Sequence, residues 1–285
     1  MLNVLYFYVI VKLVIFMAIY CDEKIEFFDR RTRNSSFIMS EPHFHSKHEL
    51  YYLEKGRTRY FIGNEIYLLE QGDIIFVPKG AFHKTIKEDL RETERLLLVF
   101  DDDFINEDYK KYISELKENN HIRIPSDRQY KFKDIFNKIE SESKQKCPDY
   151  TQLQKLYLEE LLILISRHRI KKMPTRLDET YSTIQDAAKY ISENYNTDLS
   201  LEFLAQKYAM SPSHFSKLFK TLTGIGLNQY INICRISAAE KLLLSGSTRI
   251  TAVATECGFN DSNYFAAVFK KLKGITPKKY SMLNN

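Results

Sequence analysis

The last hundred residues carry one motif written twice, about 50 residues apart, and a repeat of that kind strongly limits the folds open to the chain. The copies are LEFLAQKYAMSPSHFSKLFKTLTGI and ITAVATECGFNDSNYFAAVFKKLKGI. In each, a short helix bearing a small residue, Ala205 or Ala254, leads through a turn into a second helix. The second helices carry apolar residues at i, i+3, i+4 and i+7: Phe215, Leu218, Phe219 and Leu222, then Phe265, Val268, Phe269 and Leu272. An alanine on the first helix lets the second cross it closely, which is the helix-turn-helix arrangement, and Gly258 serves the turn of the later copy. Ser211 with Pro212 behind it, and Asp261, suit N-caps, while Gly224 and Gly274 stop both helices at equivalent places.

With the apolar stripes turned inward, the opposite face of the first second-helix presents Ser213, His214, Ser216, Lys217 and Lys220, with no acid among them. The corresponding face of the later copy presents Ser262, Asn263, Ala266, Ala267 and Lys270, with Asn260 and Lys271 beside it. Hydroxyl, amide and ammonium groups bond base edges and phosphates, and an alanine touches at most a thymine methyl. Charge distribution agrees: residues 211–285 hold ten Lys or Arg against three Asp or Glu, although the whole chain is only +5. Between the copies, residues 227–244 read as one helix of about 27 Å, close to a turn of DNA, so two recognition helices could enter successive major grooves. The competing reading is an all-helical interaction domain whose basic face is only solvated.

On these residues, 183–281 resemble the DNA-binding domain of the AraC family of transcription regulators, and the stretch from Glu240 to Tyr280 follows that family's signature nearly throughout. The resemblance implies double-stranded DNA as a partner, with base contacts from Ser213, Ser216 and Lys217 in the first unit and Ser262 and Asn263 in the second. The regulator reading adds RNA polymerase as a further candidate partner and a homodimer as the expected state. One departure stands out: where many members carry Arg in the later recognition helix, this chain has Ala267, which predicts weaker base reading by the second unit.

The front of the chain has a different texture. From about Phe37 to Phe100, short apolar runs such as ELYYL, RYFI and DIIFVP alternate with Gly and Asn, the pattern of antiparallel strands in a sandwich or barrel. Gly63-Asn64 and Gln71-Gly72 mark reversals. Two helices should follow, one with the stripe Phe132, Ile135, Phe136 and Ile139, the other with Leu153, Leu156, Tyr157, Leu161 and Leu164. The second stripe suits either a dimer contact or packing on the chain's own barrel. Residues 42–87 resemble a cupin: His43, His45, Glu49 and Gly56 form the first half of its motif, and Gly72, Pro78, Gly80 and His83 the second, with Lys87 where Asn is usual. His43, His45 and Glu49 share strand parity, and His83 can join them from a neighbouring strand. Three imidazoles and a carboxylate suit a divalent metal or the wall of an effector pocket. His48 is out of phase and should face the other side. Tyr51, Arg57, Arg59 and Tyr60 are polar candidates near the pocket mouth, and the residues leave sugar and organic acid equally open.

The expected architecture is therefore α+β. An apolar segment, 1–20, precedes a cupin-like sensor barrel, 21–127, and a helical dimerisation segment, 128–170. A charged linker, 171–182, then leads to an all-α domain, 183–285, with two helix-turn-helix units joined by a long helix. The apolar segment is about long enough to cross a bilayer, but Lys12 sits at its middle, so an upstream extension or a barrel strand is preferred to a membrane anchor. Cys21, Cys147, Cys234 and Cys257 are too scattered for a zinc ribbon or redox dithiol, which fits a reducing cytoplasm. The function expected is sequence-specific, effector-controlled transcription regulation with no catalytic residue. A metal-dependent cupin enzyme carrying a DNA-binding tail is the alternative.

Overall fold

In a computed structural model, residues 27–33, 44–88, 91–168, 178–246 and 249–283 are described. The expectations placed on residues 1–20, on His43 and on most of the linker 171–182 lie outside them. The chain forms two compact units, one built mainly from residues 22–176 and the other mainly from 177–285.

The first unit holds two antiparallel sheets. Strands β1 (Phe28–Arg33), β2 (His48–Lys55), β5 (Asp73–Val77), β7 (Thr93–Phe100) and β8 (His121–Arg123) form one, in the order β1-β7-β2-β5-β8. Strands β3 (Arg57–Ile62), β4 (Glu65–Glu70) and β6 (His83–Lys87) form the other, in the order β4-β3-β6. The expected reversals fall between β3 and β4 and between β4 and β5. Gly56 joins β2 to β3 at φ +89°, where a Cβ would lie 2.7 Å from the Glu92 carbonyl oxygen, so only glycine fits.

Strand alternation divides the apolar residues into two cores. Tyr51, Leu53, Ile75 and Val77 from the large sheet face Tyr60, Ile62 and Leu69 from the small one and line the space between the sheets. The other face of the large sheet, with Leu50, Tyr52, Ile74, Phe76, Leu96 and Leu98, packs on helices α1 (Lys110–Glu118), α2 (Gln129–Gln145) and α3 (Tyr150–His168). Helix α2 buries the expected stripe of Phe132, Ile135, Phe136 and Ile139. Ion pairs tie it to the sheet, with Arg30 bonding Glu140 at 2.8 Å and Lys133 reaching Glu54 at 2.6 Å.

Helix α3 corrects the expected stripe. It buries Leu158, Leu161, Leu162 and Ile165, while Leu153 and Leu156 stand exposed and Tyr157 and Leu164 are half-buried. Its sequence is apolar on more than one side, so spacing alone supports two faces, and contact with the sheet selects the one through Leu158. Strand β1, ahead of the expected strand region, has no counterpart in the sequence reading, and neither do helix α1 and strand β8. Both are short, and β8 is set by Asp73, whose carboxylate accepts from Arg123 at 2.8 and 2.9 Å and meets His121 at 3.0 Å.

The second unit is all helical: α4 (Glu179–Glu193), α5 (Leu201–Lys207), α6 (Pro212–Thr223), α7 (Leu227–Leu244), α8 (Ile250–Glu256), α9 (Ser262–Lys273) and α10 (Pro277–Leu283). Among the described residues, no helix is long and apolar enough to cross a membrane.

Candidate nucleic-acid interface and sensor pocket

Each half of the helical unit is a helix-turn-helix. Ala205 and Ala254 are buried where α5 and α8 meet the second helices. Phe215, Phe219 and Leu222 on α6, and Phe265, Phe269 and Leu272 on α9, point inward, with Leu218 and Val268 half-buried at the edges. Ser211 caps α6 by accepting from the His214 amide at 3.3 Å, and Asp261 caps α9 from the Asn263 amide at 2.8 Å. Gly224 and Gly274 end both helices in the left-handed conformation, at φ +75° and +78°.

The two turns reach one geometry by different residues. Met210 and Phe259 donate their amides to the carbonyls of Ala205 and Ala254, each at 2.9 Å. The residue before them is left-handed in both, Ala209 at φ +53° and Gly258 at φ +84°. The later turn then holds one more residue before its capped helix, Asn260. Helix α7 links the halves over Leu227–Leu244, as the sequence predicts. Its Arg235 donates to the carbonyls of Tyr195 and Thr197 at 2.8 and 3.0 Å and lies over the Phe259 ring, fixing α7 against both halves.

Packing the aromatic stripes inward leaves Ser213, His214, Lys217 and Lys220 exposed and Ser216 half-buried. On the later unit Asn260, Asn263, Ala267, Lys270 and Lys271 are exposed and Ser262 is half-buried. A cleft of about 590 Å³ opens between the halves, lined in part by Asn196, Asn228, Asn232, Asn260 and Tyr264. Sequence reading missed this amide-rich cleft, because its walls come from three helices and two connecting segments.

In the sensor unit, His45, Glu49 and His83 come together with one ligand-type atom each within 4.8 Å of the others. Glu49 Oε2 is 3.3 Å from His45 Nε2 and 3.6 Å from His83 Nε2, and the Tyr60 hydroxyl donates to Glu49 Oε1 at 3.1 Å. Burial alone would raise the Glu49 pKa, but the two histidines outweigh it and hold the carboxyl well below its usual range. Burial and the neighbouring Glu49 push the Tyr60 phenol well above its own range. His45 Nδ1 lies 2.6 Å from the Lys47 carbonyl and His83 Nδ1 3.0 Å from that of Ala81. Carbonyls only accept, so both Nδ1 atoms carry protons and both Nε2 atoms turn toward the carboxylate. Two Nε2 atoms and a carboxylate at these separations fit a divalent first-row ion, which would be held by His45, Glu49 and His83.

A family model described as a helix-turn-helix domain matches residues 204–282, and one described as the ExsA N-terminal regulatory domain matches residues 48–173. The chain belongs to the AraC family of transcription regulators. The HTH-type transcriptional activator RhaR of Mannheimia succiniciproducens is 24% identical over 238 residues, covering 84% of this chain and 86% of that protein. RhaR of Escherichia coli (strain K12) is also 24% identical, over 248 residues, with 85% and 87% covered. Among solved structures, ToxT from Vibrio cholerae O395 is similar at 14% identity and a TM-score of 0.37, covering 91% of this chain and 98% of that one.

In this AraC-family regulator the sensor residues read from sequence divide in two. Tyr51 and Tyr60 are fully buried between the sheets rather than at a mouth. Arg57 and Arg59 alternate with Tyr60 on β3 and take the opposite face, where Arg57 pairs with Glu70 at 3.1 Å and Arg59 with Glu88 at 2.6 Å. His48 also faces away from the cluster, stacked on Phe76 and 2.9 Å from Asp102. Sequence reading overlooked Arg33 and Arg95, which the register Arg33↔Thr93 and Leu53↔Arg95 places on the inward face with Tyr51. Sequence alone carries little signal for the pair: β1 reads FDRRTR, polar after Phe28, and its face is set by its pairing with β7.

Proposed function

We propose that the chain is an effector-controlled regulator in which residues 21–127 bind a small molecule and residues 128–170 pair two copies. The joint is the part of the expected linker 171–182 that lies ahead of helix α4, and residues 179–285 hold operator DNA. The observation that carries this reading is the first recognition helix, whose Phe215 and Phe219 are buried while Ser213, Lys217 and Lys220 are exposed with no acid beside them. Ser213, His214, Ser216 and Lys217 meet base edges, and Lys220 meets phosphate. Asn260, Ser262, Asn263, Ala267, Lys270 and Lys271 form the second, less discriminating contact.

The exposed Leu153 and Leu156 on α3, flanked by Tyr157, support pairing through that helix. Effector and DNA then alter each other's affinity by the same factor, because both bias one equilibrium. The relatives named above are called activators, and activation through contact with RNA polymerase in the cytoplasm is the direction proposed here. Fluorescence anisotropy with sites selected from random DNA tests the reading. Sequence-specific binding lost on Lys217→Ala supports it, and equal affinity for selected and scrambled duplexes overturns it.

The His45, Glu49 and His83 cluster favours a second reading, a metal-dependent cupin activity on a DNA-bound chain. Metal analysis separates the two. Stoichiometric divalent metal, lost together with a measurable turnover in His45→Ala and His83→Ala, would favour the enzyme.

A further inference from the structure

Resting on the effector-controlled reading, we infer that the space between the sensor's two sheets takes a small organic carboxylate, held by Arg95 and Tyr51. Arg95 lies on the inward face of β7, 4% exposed, and Tyr51 on the inward face of β2, 1% exposed. The Arg95 guanidinium stands 5.9 Å from the centre of the Tyr51 ring. Among the described residues its Nη2 is engaged, donating to Asp29 at 2.7 Å, while its Nε and Nη1 and the Tyr51 hydroxyl are buried without a hydrogen-bond partner.

Buried donors left unmade are costly, and a native core tolerates few of them without a functional reason. Three within one inward face, two on a guanidinium, define a place for an acceptor carrying negative charge. Arg33 shares that face, and Asp29, the carboxylate that Arg95 meets, is also engaged by Arg31 at 2.9 Å.

The same geometry selects a carboxylate over a neutral sugar. Sugar hydroxyls donate as well as accept, and each donated proton needs an acceptor when buried. Among the described residues the interior carboxylate, Glu49, already accepts from Tyr60 and lies against His45 and His83, which leaves the hydroxyls of Thr85 and Tyr51 as unengaged acceptors, fewer than the protons of a polyol need. A carboxylate asks only for donors, which Arg95 and Tyr51 supply, and the body attached to it would lie against Leu53, Tyr60 and Leu97.

The test uses the full chain in buffer with EDTA, so that no cation at the histidine cluster anchors the probe. Acetate, benzoate and succinate are titrated at matched ionic strength against their neutral amides, acetamide, benzamide and succinamide, by calorimetry and by thermal shift. At least one acid is expected to bind and raise the melting temperature while its amide does neither. Arg95→Gln is expected to weaken that acid about tenfold or more. Tyr51→Phe is expected to weaken it about threefold without lowering the melting temperature of the unliganded chain, because the hydroxyl removed had no partner. That second variant keeps the test valid if Arg95→Gln does not fold. No acid bound, or acids and amides bound alike, overturns the proposal, as does acid binding untouched by either variant. A DNA affinity that responds to a neutral polyol alone overturns the ligand class and leaves effector control standing. Acid binding in the barrel with no change in DNA affinity upholds the site and overturns effector control.

Discussion

The two turns of the helical unit make a matched pair of substitutions informative. Gly258 sits at φ +84°, and a Cβ there would lie 2.8 Å from the backbone Cα of Asn196, closer than side-chain atoms approach. An L-residue in the left-handed region costs roughly 1–2 kcal/mol. Crowding against backbone that cannot swing aside adds about 1 kcal/mol or more. Loss of glycine's freedom in the unfolded chain returns roughly 0.4–1 kcal/mol. Gly258→Ala should therefore destabilise the later helix-turn-helix by about 2 kcal/mol. Ala209 holds the matching position at φ +53° with its methyl already in place. Ala209→Gly removes the conformational cost and pays the entropy, a net gain of about 0.5–1 kcal/mol. Native-state hydrogen exchange read by mass spectrometry on the full chain resolves the halves. Peptides spanning 250–273 should exchange about thirtyfold faster in Gly258→Ala, and those spanning 201–223 severalfold slower in Ala209→Gly. Unchanged exchange in the first variant, or faster exchange in the second, would refute the strain argument and the equivalence of the two turns.

Other expectations follow from the same geometry. Lys217→Ala should relax base preference within one half-site, whereas Lys220→Ala should weaken all sequences alike and lower the salt slope by about one, read from anisotropy titrations across salt. Because Ala267 offers only a methyl, alanine substitutions at Ser262 and Asn263 should cost less specificity than those in the first unit, and equal losses would contradict that. Asp73→Asn should destabilise the sensor unit by about 2–3 kcal/mol in denaturant titrations monitored by strand β8, since it strips Arg123 of its buried partner. Burial would raise the Asp73 carboxyl, but Arg123 and His121 hold it below the ordinary 3.8. Its stabilising share is therefore full above about pH 4 and is lost as pH falls below that, the direction a pH series on the wild type should show and the asparagine variant should lack. Leu153→Asp with Leu156→Asp should shift gel filtration from dimer to monomer without changing the circular dichroism spectrum, and a dimer that persists would move the interface elsewhere.

Much of this was written in the sequence because several local signals agreed. The recognition helices are fixed by aromatic spacing, by Ser211 and Asp261 at their starts and by Gly224 and Gly274 at their ends, and a repeat states each signal twice. Helix α7 was equally legible, since 18 residues without a breaker stand between two glycine-marked turns. Helix α3 was not, because a helix apolar on two sides does not say which side meets the sheet. The sensor interior was half legible. Motif spacing brought His45, Glu49 and His83 together, but Arg57 and Arg59 attracted notice by charge although strand parity sends them outward. Arg33 and Arg95 passed unnoticed because their common face depends on the pairing of β1 with β7, a contact more than sixty residues apart in the chain.

Hydroxyl-radical footprinting on a site selected from random DNA tests the central claim most directly. Two recognition helices bridged by α7 predict two protected patches per protomer on one face of the duplex, about 10 base pairs apart, with the patch assigned to α6 lost in Lys217→Ala. A single short patch, or protection indifferent to Lys217, would contradict the assignment of both exposed helix faces to DNA.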